Sequence, residues 1–206
     1  MANKAPKAPY KFNRKRNNMN TNIILSGVGG QGILSIAAVI GKAALNNDLY
    51  IKQSEVHGMS QRGGDVQSNL RISDSPIHSD LIPLKGADLI LSLEPMEALR
   101  YLPYLKEDGW IVTSSVNFVN IPNYPDAEEI LNEIKKHKNH VLIDVDALAK
   151  QAGSLRTANM VLLGAALPYL GLPAEYIEQG IKDLFASKGE DIVNLNLKAL
   201  NIVNQQ

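Results

Sequence analysis

A short apolar segment that leads into a cluster of glycines constrains the fold of this sequence more than any other feature. Residues 23–25 (Ile-Ile-Leu) are typical of a strand buried on both faces in a parallel sheet. Residues 27–32 (Gly-Val-Gly-Gly-Gln-Gly) then match G-x-G-x-x-G spacing, and apolar residues recur at helical spacing over 33–44. The sequence predicts a strand, a tight turn and a helix whose N-terminus points out of that turn, ready for an anion such as phosphate or carboxylate.

Each glycine of this turn has a predicted role. Gly27 turns the chain tightly, Gly29 and Gly30 expose backbone N–H groups, and Gly32 lets the helix pack close to the strand. The motif alone does not identify a ligand, because a tight strand-to-helix turn that binds nothing has the same spacing. Gly30 and Gln31 are also unusual for a turn that binds a nicotinamide cofactor.

The composition limits the chemistry that the chain can perform. Its 206 residues are enough for one domain with a substantial core, and we predict a single domain over 19–206. The absence of cysteine excludes disulfides, thiolate catalysis and cysteine-ligated iron–sulfur clusters in this chain, so any such cluster must lie on a partner. No apolar run approaches the ~20 residues that span a bilayer. We therefore expect a cytoplasmic protein.

Basic residues are concentrated at the beginning of the chain. The formal net charge is zero, but residues 1–18 contain six basic residues and no acid, so the remainder carries six more acids than bases. This mildly acidic body argues against nucleic acid as the main ligand. Residues 1–18 lack the apolar core of a secretory signal, and we predict a disordered basic tail, with Met19 as an alternative start.

The rest of the chain alternates between strand-like and helix-like segments. Strands are predicted over 49–55, 65–73, 77–80, 87–93, 110–114 and 141–145, and the alternating pattern of 65–73 predicts an antiparallel neighbour. Helices are predicted from Pro95, over 127–136 after an Asp126 cap, from Ala147, and over 157–169, 173–187 and 191–203. This order predicts a layered, Rossmann-like α/β fold: a mixed, mostly parallel sheet flanked by helices, with a helical C-terminal segment.

A second polar, glycine-rich segment follows the second predicted strand. Residues 55–64 read Glu-Val-His-Gly-Met-Ser-Gln-Arg-Gly-Gly, which is too polar to be buried and predicts a surface loop. In a parallel α/β sheet this loop leaves the carboxyl end of its strand, beside the glycine turn. We therefore expect the two loops to meet at one edge of the sheet.

These two loops carry a resemblance to a known family. Together with Ala-Asp-Leu-Ile at 87–90 and Leu-Glu-Pro-Met-Glu-Ala at 93–98, they resemble the gamma-type subunits of the 2-oxoacid:ferredoxin oxidoreductases, and among these the indolepyruvate branch. The resemblance covers about residues 20–200, and the pair formed by 27–32 and 55–64 is its specific part. Residues 157–164 are similar to a late helix of the family and are weaker evidence. The basic tail departs from the pattern.

The resemblance implies a function for a complex rather than for this chain alone. Such a complex oxidatively decarboxylates an aryl 2-oxoacid with coenzyme A, giving an aryl-acyl-CoA, carbon dioxide and reduced ferredoxin. Thiamine diphosphate and the iron–sulfur clusters are then expected on a large partner subunit, and no cofactor is expected to be bound by this chain alone. The residues expected to form part of the active-site wall and to help receive coenzyme A are Gly27, Val28, Gly29, Gly30, Gln31, Gly32, Glu55, His57, Ser60, Gln61, Arg62 and Gly63.

Structural interpretations compete with several of these assignments. Arg62 offers a charged fork for a phosphate or carboxylate, but it can equally pair with Glu55 or with a carboxylate of a partner. His57 fits a loop histidine that bonds to backbone better than an acid–base catalyst. Asp146 is expected to cap a helix, and Glu94 is expected to be structural.

Two other functions remain open at the level of sequence. One is a stand-alone nicotinamide- or flavin-dependent oxidoreductase, because Glu55 lies about 20 residues beyond the glycine turn, where an acid that binds a ribose hydroxyl is expected. The other is a non-catalytic subunit that keeps the loops only to dock a partner. The histidines show no ligand spacing, so no metal site is predicted.

Overall fold

The computed structural model describes residues 19–57, 64–119 and 121–205. Six strands form one sheet in the order β2-β3-β1-β4-β5-β6. They are β1 (Asn20–Val28), β2 (Tyr50–His57), β3 (Asp65–Ser73), β4 (Ala87–Ser92), β5 (Leu105–Ser114) and β6 (His140–Ile143). The predicted tail, residues 1–18, lies outside the described residues.

Seven α-helices occur in the described part of the chain and cover both faces of the sheet. They are α1 (Ile33–Leu45), α2 (Pro95–Arg100), α3 (Ala127–Lys135), α4 (Val145–Ala152), α5 (Ala158–Ala166), α6 (Ala174–Phe185) and α7 (Glu190–Asn201). One core cluster joins the sheet to α1, α4, α5, α6 and α7, and a smaller one joins the opposite face to α2 and α3. Within the described ranges, no helix is long and apolar enough to cross a membrane.

The sheet is mixed and mostly parallel, which confirms the predicted fold class. β1 pairs with β4, β4 with β5, and β5 with β6, all in parallel. β3 is antiparallel to both of its neighbours, β1 and β2, as its alternating sequence predicts. β3 therefore separates β1 from β2, so the second strand of the sequence is not the spatial neighbour of the first.

The predicted return strand over 77–80 is wrong. Carbonyl groups in this region accept side-chain hydrogen bonds instead of pairing with a strand: the Arg71 guanidinium donates to the Ser79 oxygen at 2.9 Å, and Lys52 Nζ donates to the His78 oxygen at 3.3 Å. Residues 77–80 therefore form an irregular segment bound by side chains of β2 and β3.

Several boundaries differ from the sequence prediction, and two of the differences have a clear physical cause. β5 begins at Leu105 rather than at 110, because the pairing with β4 shifts register between Ala87 and Leu89 and thereby accommodates Gly109 inside the strand.

The cap of α4 is Asp144, whose Oδ1 accepts from the Ala147 N–H at 2.8 Å. Asp146 lies in the first turn of that helix, so its predicted capping role is wrong.

α5 packs so closely on α7 that it requires glycine at one position. A Cβ on Gly164 would lie 2.0 Å from the backbone oxygen of Leu200, a contact that only a shift of α7 would relieve. We expect Gly164→Ala to lower the free energy of unfolding by about 1–3 kcal/mol or more, as overpacking does, measured by urea denaturation. Gly41→Ala in α1 is the matched control, because its new Cβ meets only the Ile51 side chain, at 3.2 Å. Equal stability of the two variants would contradict the prediction.

Candidate functional site

A cleft of about 470 Å³ lies at the carboxyl ends of the parallel strands. Parts of its lining come directly after β1, β4, β5 and β6, and the N-termini of α1, α4 and α5 border it. This is where open α/β sheets bind their ligands. The lining residues are Gly30, Gln31, Gly32, Ser35, Leu93, Ser114, Val116, Asn117, Phe118, Val145, Asp146, Leu155, Arg156, Ala158 and Asn159.

The structure corrects the roles predicted for two of the glycines. Gly27 does not turn the chain, since it lies in β1 and pairs with Val66 of β3. The turn comes later, at residues 29–30. The Gly29 N–H donates to the Gly64 oxygen at 2.8 Å and is therefore not available to a ligand.

Gly32 permits a close approach, but not the predicted one. It is the N-cap of α1 with φ of 87°, a conformation that favours glycine. A Cβ at this position would lie 2.7 Å from Nδ2 of Asn159, and the same Nδ2 donates to the Gly32 oxygen at 3.2 Å. Gly32 therefore lets the start of α5, and not the strand, approach the start of α1.

The Gln31 side chain holds the glycine turn in place through two hydrogen bonds to the backbone. Its Oε1 accepts from the N–H of buried Val28 at 2.7 Å, and its Nε2 donates to the Leu93 oxygen at 3.4 Å. The side chain thus links the end of β1 to the residue that follows β4. Gln31 lines the cleft, but both of its polar atoms already hold the backbone.

The cleft favours an anion. In the described part of the chain, no hydrogen-bond acceptor is found for the N–H groups of Gly30, Gly32 and Ile33, which lie at the positive end of α1. The charged side chains of the lining are Arg156 and Asp146, and they do not form an ion pair with each other. Arg156 is exposed, and within the described ranges its guanidinium has no ion pair, so it can bind a phosphate or carboxylate.

The two predicted loops meet as expected at the edge of the sheet. Gly64, the last residue of the second loop, accepts the hydrogen bond from Gly29, and His57 at the end of β2 pairs with Val66, which also pairs with Gly27. Ser60, Gln61, Arg62 and Gly63 lie outside the described residues. Their predicted part in ligand binding stays a prediction.

Glu55 is not where a ribose-binding acid of a Rossmann fold is expected. That role requires the second strand to lie beside the first. Here β3 lies between them, which places β2 about 9–10 Å from β1. Glu55 pairs with Ser68 in the sheet and is not part of the cleft lining. The geometry therefore disfavours a nicotinamide-dependent oxidoreductase of that kind.

The segment after β4 is built around buried carboxylates. Glu94 Oε2 accepts from the Glu97 N–H at 2.8 Å and caps α2, in agreement with its predicted structural role. Glu97 is 2% exposed and pairs with Arg100, Nε to Oε2, at 2.8 Å. Burial raises the pKa of Glu97, and the ion pair with Arg100 opposes that rise. No group of three potential metal ligands is found among the described residues.

Sequence reasoning missed Ser114, Asn117, Arg156 and Asn159. Each belongs to a different segment from the glycine turn, and only the order of the strands brings them to the same cleft. Arg156 precedes α5 and Asn159 lies in its first turn. The sequence places 157–164 in a helix that resembles one of the family, without a site role for either residue. That helix is core, as predicted: residues 159–166 are buried.

The chain matches proteins of known classes along nearly its whole length. The family model for pyruvate ferredoxin/flavodoxin oxidoreductase matches residues 22–204. The indolepyruvate oxidoreductase subunit IorB of Archaeoglobus fulgidus is 36% identical over 193 residues, 89% of this chain and 94% of that protein. The subunit of the same name from Pyrococcus horikoshii is 38% identical over 191 residues, with 88% and 93% covered.

Similarity extends more weakly to other oxoacid enzymes. The common gamma subunit of the pyruvate and ketoisovalerate oxidoreductases of Pyrococcus abyssi is 29% identical over 166 residues, 79% of this chain and 85% of that protein. A 2-oxoglutarate:ferredoxin oxidoreductase from Magnetococcus marinus, solved with 2-oxoglutarate, coenzyme A and succinyl-CoA, superposes with a TM-score of 0.71 at 20% identity. It matches 94% of this chain and 32% of its own. This last likeness shows the fold.

The hydrogen bonds of Gln31 predict a stability effect. Gln31→Ala leaves the buried Val28 N–H without its acceptor, which we expect to lower the free energy of unfolding by about 1–3 kcal/mol. Gln31→Glu, measured at a pH where the new carboxyl group is protonated, retains an acceptor for Val28 and a donor for Leu93, so its loss is expected to be smaller. Urea denaturation of both variants tests this order. Equal losses would show that the Val28 contact contributes little.

Proposed function

Because the chain belongs to the pyruvate ferredoxin/flavodoxin oxidoreductase family, we propose that it is the smaller subunit of a complex that oxidatively decarboxylates aryl 2-oxoacids such as indolepyruvate. Coenzyme A is the acyl acceptor and ferredoxin the electron acceptor. The carbon–carbon bond to the carboxylate breaks and carbon dioxide leaves. The acyl group is oxidised by two electrons and passes to the thiol of coenzyme A. Residues 19–206 form one domain of this catalytic assembly.

The observation that carries the proposal is the graded identity to two kinds of oxidoreductase subunit. Identity is 36–38% to subunits named for indolepyruvate and 29% to a subunit named for pyruvate and ketoisovalerate. Coverage is also greater for the first kind. This order favours an aryl substrate over a short aliphatic one.

The redox centres of the proposed reaction belong to another chain. Without cysteine, this chain has no thiolate ligands for an iron–sulfur cluster. A large partner subunit would therefore carry the clusters and thiamine diphosphate and would pass electrons to ferredoxin. This chain would contribute binding and orientation.

The cleft is suited to receive the phosphate groups of coenzyme A. Gly30 and Gly32 line the cleft at the N-terminus of α1, and no acceptor for their N–H groups is found among the described residues. The N-terminus of α5 borders the same cleft. Arg156 adds a permanent positive charge and a planar pair of donors. The ligand-binding role proposed for the first loop thus involves Arg156, an arginine outside the sequence motif, and does not involve the Gly29 N–H.

The proposal includes a second group of residues, 57–63, from the other glycine-rich loop. His57 is the last residue of β2 and is joined through Val66 of β3 to Gly27 near the end of β1. Ser60, Gln61, Arg62 and Gly63 come after it in the sequence. We propose that Arg62 contacts the oxoacid carboxylate or coenzyme A at the active-site wall. If the chain instead serves only in assembly, changes in either loop will alter subunit binding and leave the kinetics of the intact complex unchanged.

Composition of the native complex tests the proposed function directly. A tagged chain purified from its host without oxygen is expected to bring with it a stoichiometric larger subunit with thiamine diphosphate and iron–sulfur absorbance. The complex should reduce ferredoxin with indolepyruvate and coenzyme A and act less well on pyruvate. A lone chain that binds reduced nicotinamide would overturn the proposal.

Arg156 provides a test of the coenzyme A site. In the intact complex, Arg156→Ala is expected to raise the KM for coenzyme A about fivefold, since an exposed charge pair contributes up to ~1 kcal/mol. The kcat and the KM for the oxoacid should remain unchanged. Lys150→Ala is the matched control, because Lys150 is an exposed base just before this region and outside the cleft. An unchanged KM in the Arg156 variant contradicts the assigned role.

Arg62 gives the corresponding test for the second loop. Arg62→Ala is expected to raise the KM for coenzyme A or for the oxoacid without dissociating the subunits, because its guanidinium is proposed to pair with an anionic group of one of them. Steady-state kinetics with each substrate varied in turn, combined with size-exclusion chromatography, separate these effects. Unchanged kinetics would remove Arg62 from the site.

A further inference from the structure

Glu94 makes more contacts than the cap of a six-residue helix requires. Its side chain is fully buried, with 0% exposed. One carboxylate oxygen, Oε2, caps α2 through the Glu97 N–H. A buried carboxylate is expensive unless its remaining lone pairs are also satisfied. The other oxygen, Oε1, is turned toward the cleft wall.

That second oxygen holds residues 117 and 118. Oε1 of Glu94 accepts from the Tyr124 hydroxyl and, at 3.4 Å, from the Phe118 N–H. The Tyr124 oxygen in turn accepts from Nδ2 of Asn117 at 3.0 Å. In the described part of the chain, these are the hydrogen bonds that fix Asn117 and Phe118, and all of them lead to Glu94.

The same residues form one wall of the cleft. Residues 116–118 line it and have no regular secondary structure, so backbone pairing does not hold them in place. Val116 is tied to the end of β5 by its N–H, which donates to Ser114 Oγ at 2.9 Å. Beyond Val116, the position of the wall depends on Glu94 and Tyr124.

Tyr124 remains a donor under physiological conditions. Burial, followed by the hydrogen bond to Glu94, raises the pKa of its hydroxyl above the ordinary value of 10. The phenol therefore keeps its proton at neutral pH, so the Tyr124 hydroxyl can donate its hydrogen bond to Glu94.

We propose that Glu94 and Tyr124 are positioning residues that hold Asn117 and Phe118 in the cleft wall and thereby set the affinity for the ligand. Neither acts on the reacting atoms. The identity of that ligand, coenzyme A, rests on the proposed function. Phe118, whose side chain is 45% exposed, would offer it an apolar surface, and Asn117 an amide.

Tyr124→Phe is the sharpest test, because it removes one hydroxyl and leaves the ring and the α2 cap in place. In the purified full chain, amide hydrogen exchange of Phe118, whose N–H donates to Glu94 Oε1, is expected to become at least fivefold faster. In the complex, the KM for coenzyme A is expected to rise about fivefold, with the KM for the oxoacid and kcat unchanged. Tyr104→Phe is the matched control: Tyr104 packs on the same core cluster, and no partner for its hydroxyl is found among the described residues.

Asn117→Ala distinguishes positioning from a general loss of stability. If Tyr124 acts through Asn117, the double variant will show nearly the same KM for coenzyme A as the more impaired single variant. If the two substitutions instead raise the KM for coenzyme A by factors that multiply in the double variant, Tyr124 does not act through Asn117.

The outcomes separate this inference from the proposed function. Unchanged exchange at Phe118 in Tyr124→Phe overturns the anchoring by Glu94 and Tyr124, and faster exchange with an unchanged KM overturns the link to ligand affinity. If the wild-type complex neither binds nor uses coenzyme A, the proposed function fails, and the exchange measurement still decides whether the anchor exists.

Discussion

The cleft depends on two hydrogen bonds made by one amide side chain. Gln31 accepts from Val28 and donates to Leu93, and so fixes the end of β1, the glycine turn and the end of β4 relative to one another. The direction of α1 follows from this closure, because the helix begins two residues after Gln31. Gly30 and Gly32, which precede the helix, line the cleft. The approach of Asn159 to Gly32 then adds the start of α5 to the same corner.

The antiparallel strand β3 distinguishes this sheet from a fully parallel Rossmann sheet. By lying between β1 and β2, it removes Glu55 from the position where a ribose-binding acid would lie. It also brings Gly64 against Gly29, which joins the two glycine-rich segments through the backbone. The position of β3 thus disfavours a nicotinamide site of the Rossmann kind and joins Gly29 to Gly64.

The sequence predicts the fold well where one local pattern decides the outcome. The apolar run 23–25, the alternation in 65–73 and the Asp126 cap were sufficient for their elements. Predictions were wrong where a distant side chain or a register shift determined the structure. The Arg71 side chain binds the backbone of the irregular segment 77–80, and the register shift beside Ala87 lengthens β5. The candidate site follows the same rule. The glycine turn is visible in the sequence, whereas Arg156 and Asn117 join it only through tertiary structure.

The cleft is built from segments that are far apart in the chain, from Gly30 to Asn159. No fragment that lacks one of β1, β4, β5 or β6 contains all of its walls, so ligand affinity belongs to the completed sheet. By mass action, a ligand at 100 times its Kd stabilises the folded chain by about 2.7 kcal/mol. Ligand binding in this cleft is therefore coupled to complete folding of the chain. A chain that has folded incompletely will not bind the ligand.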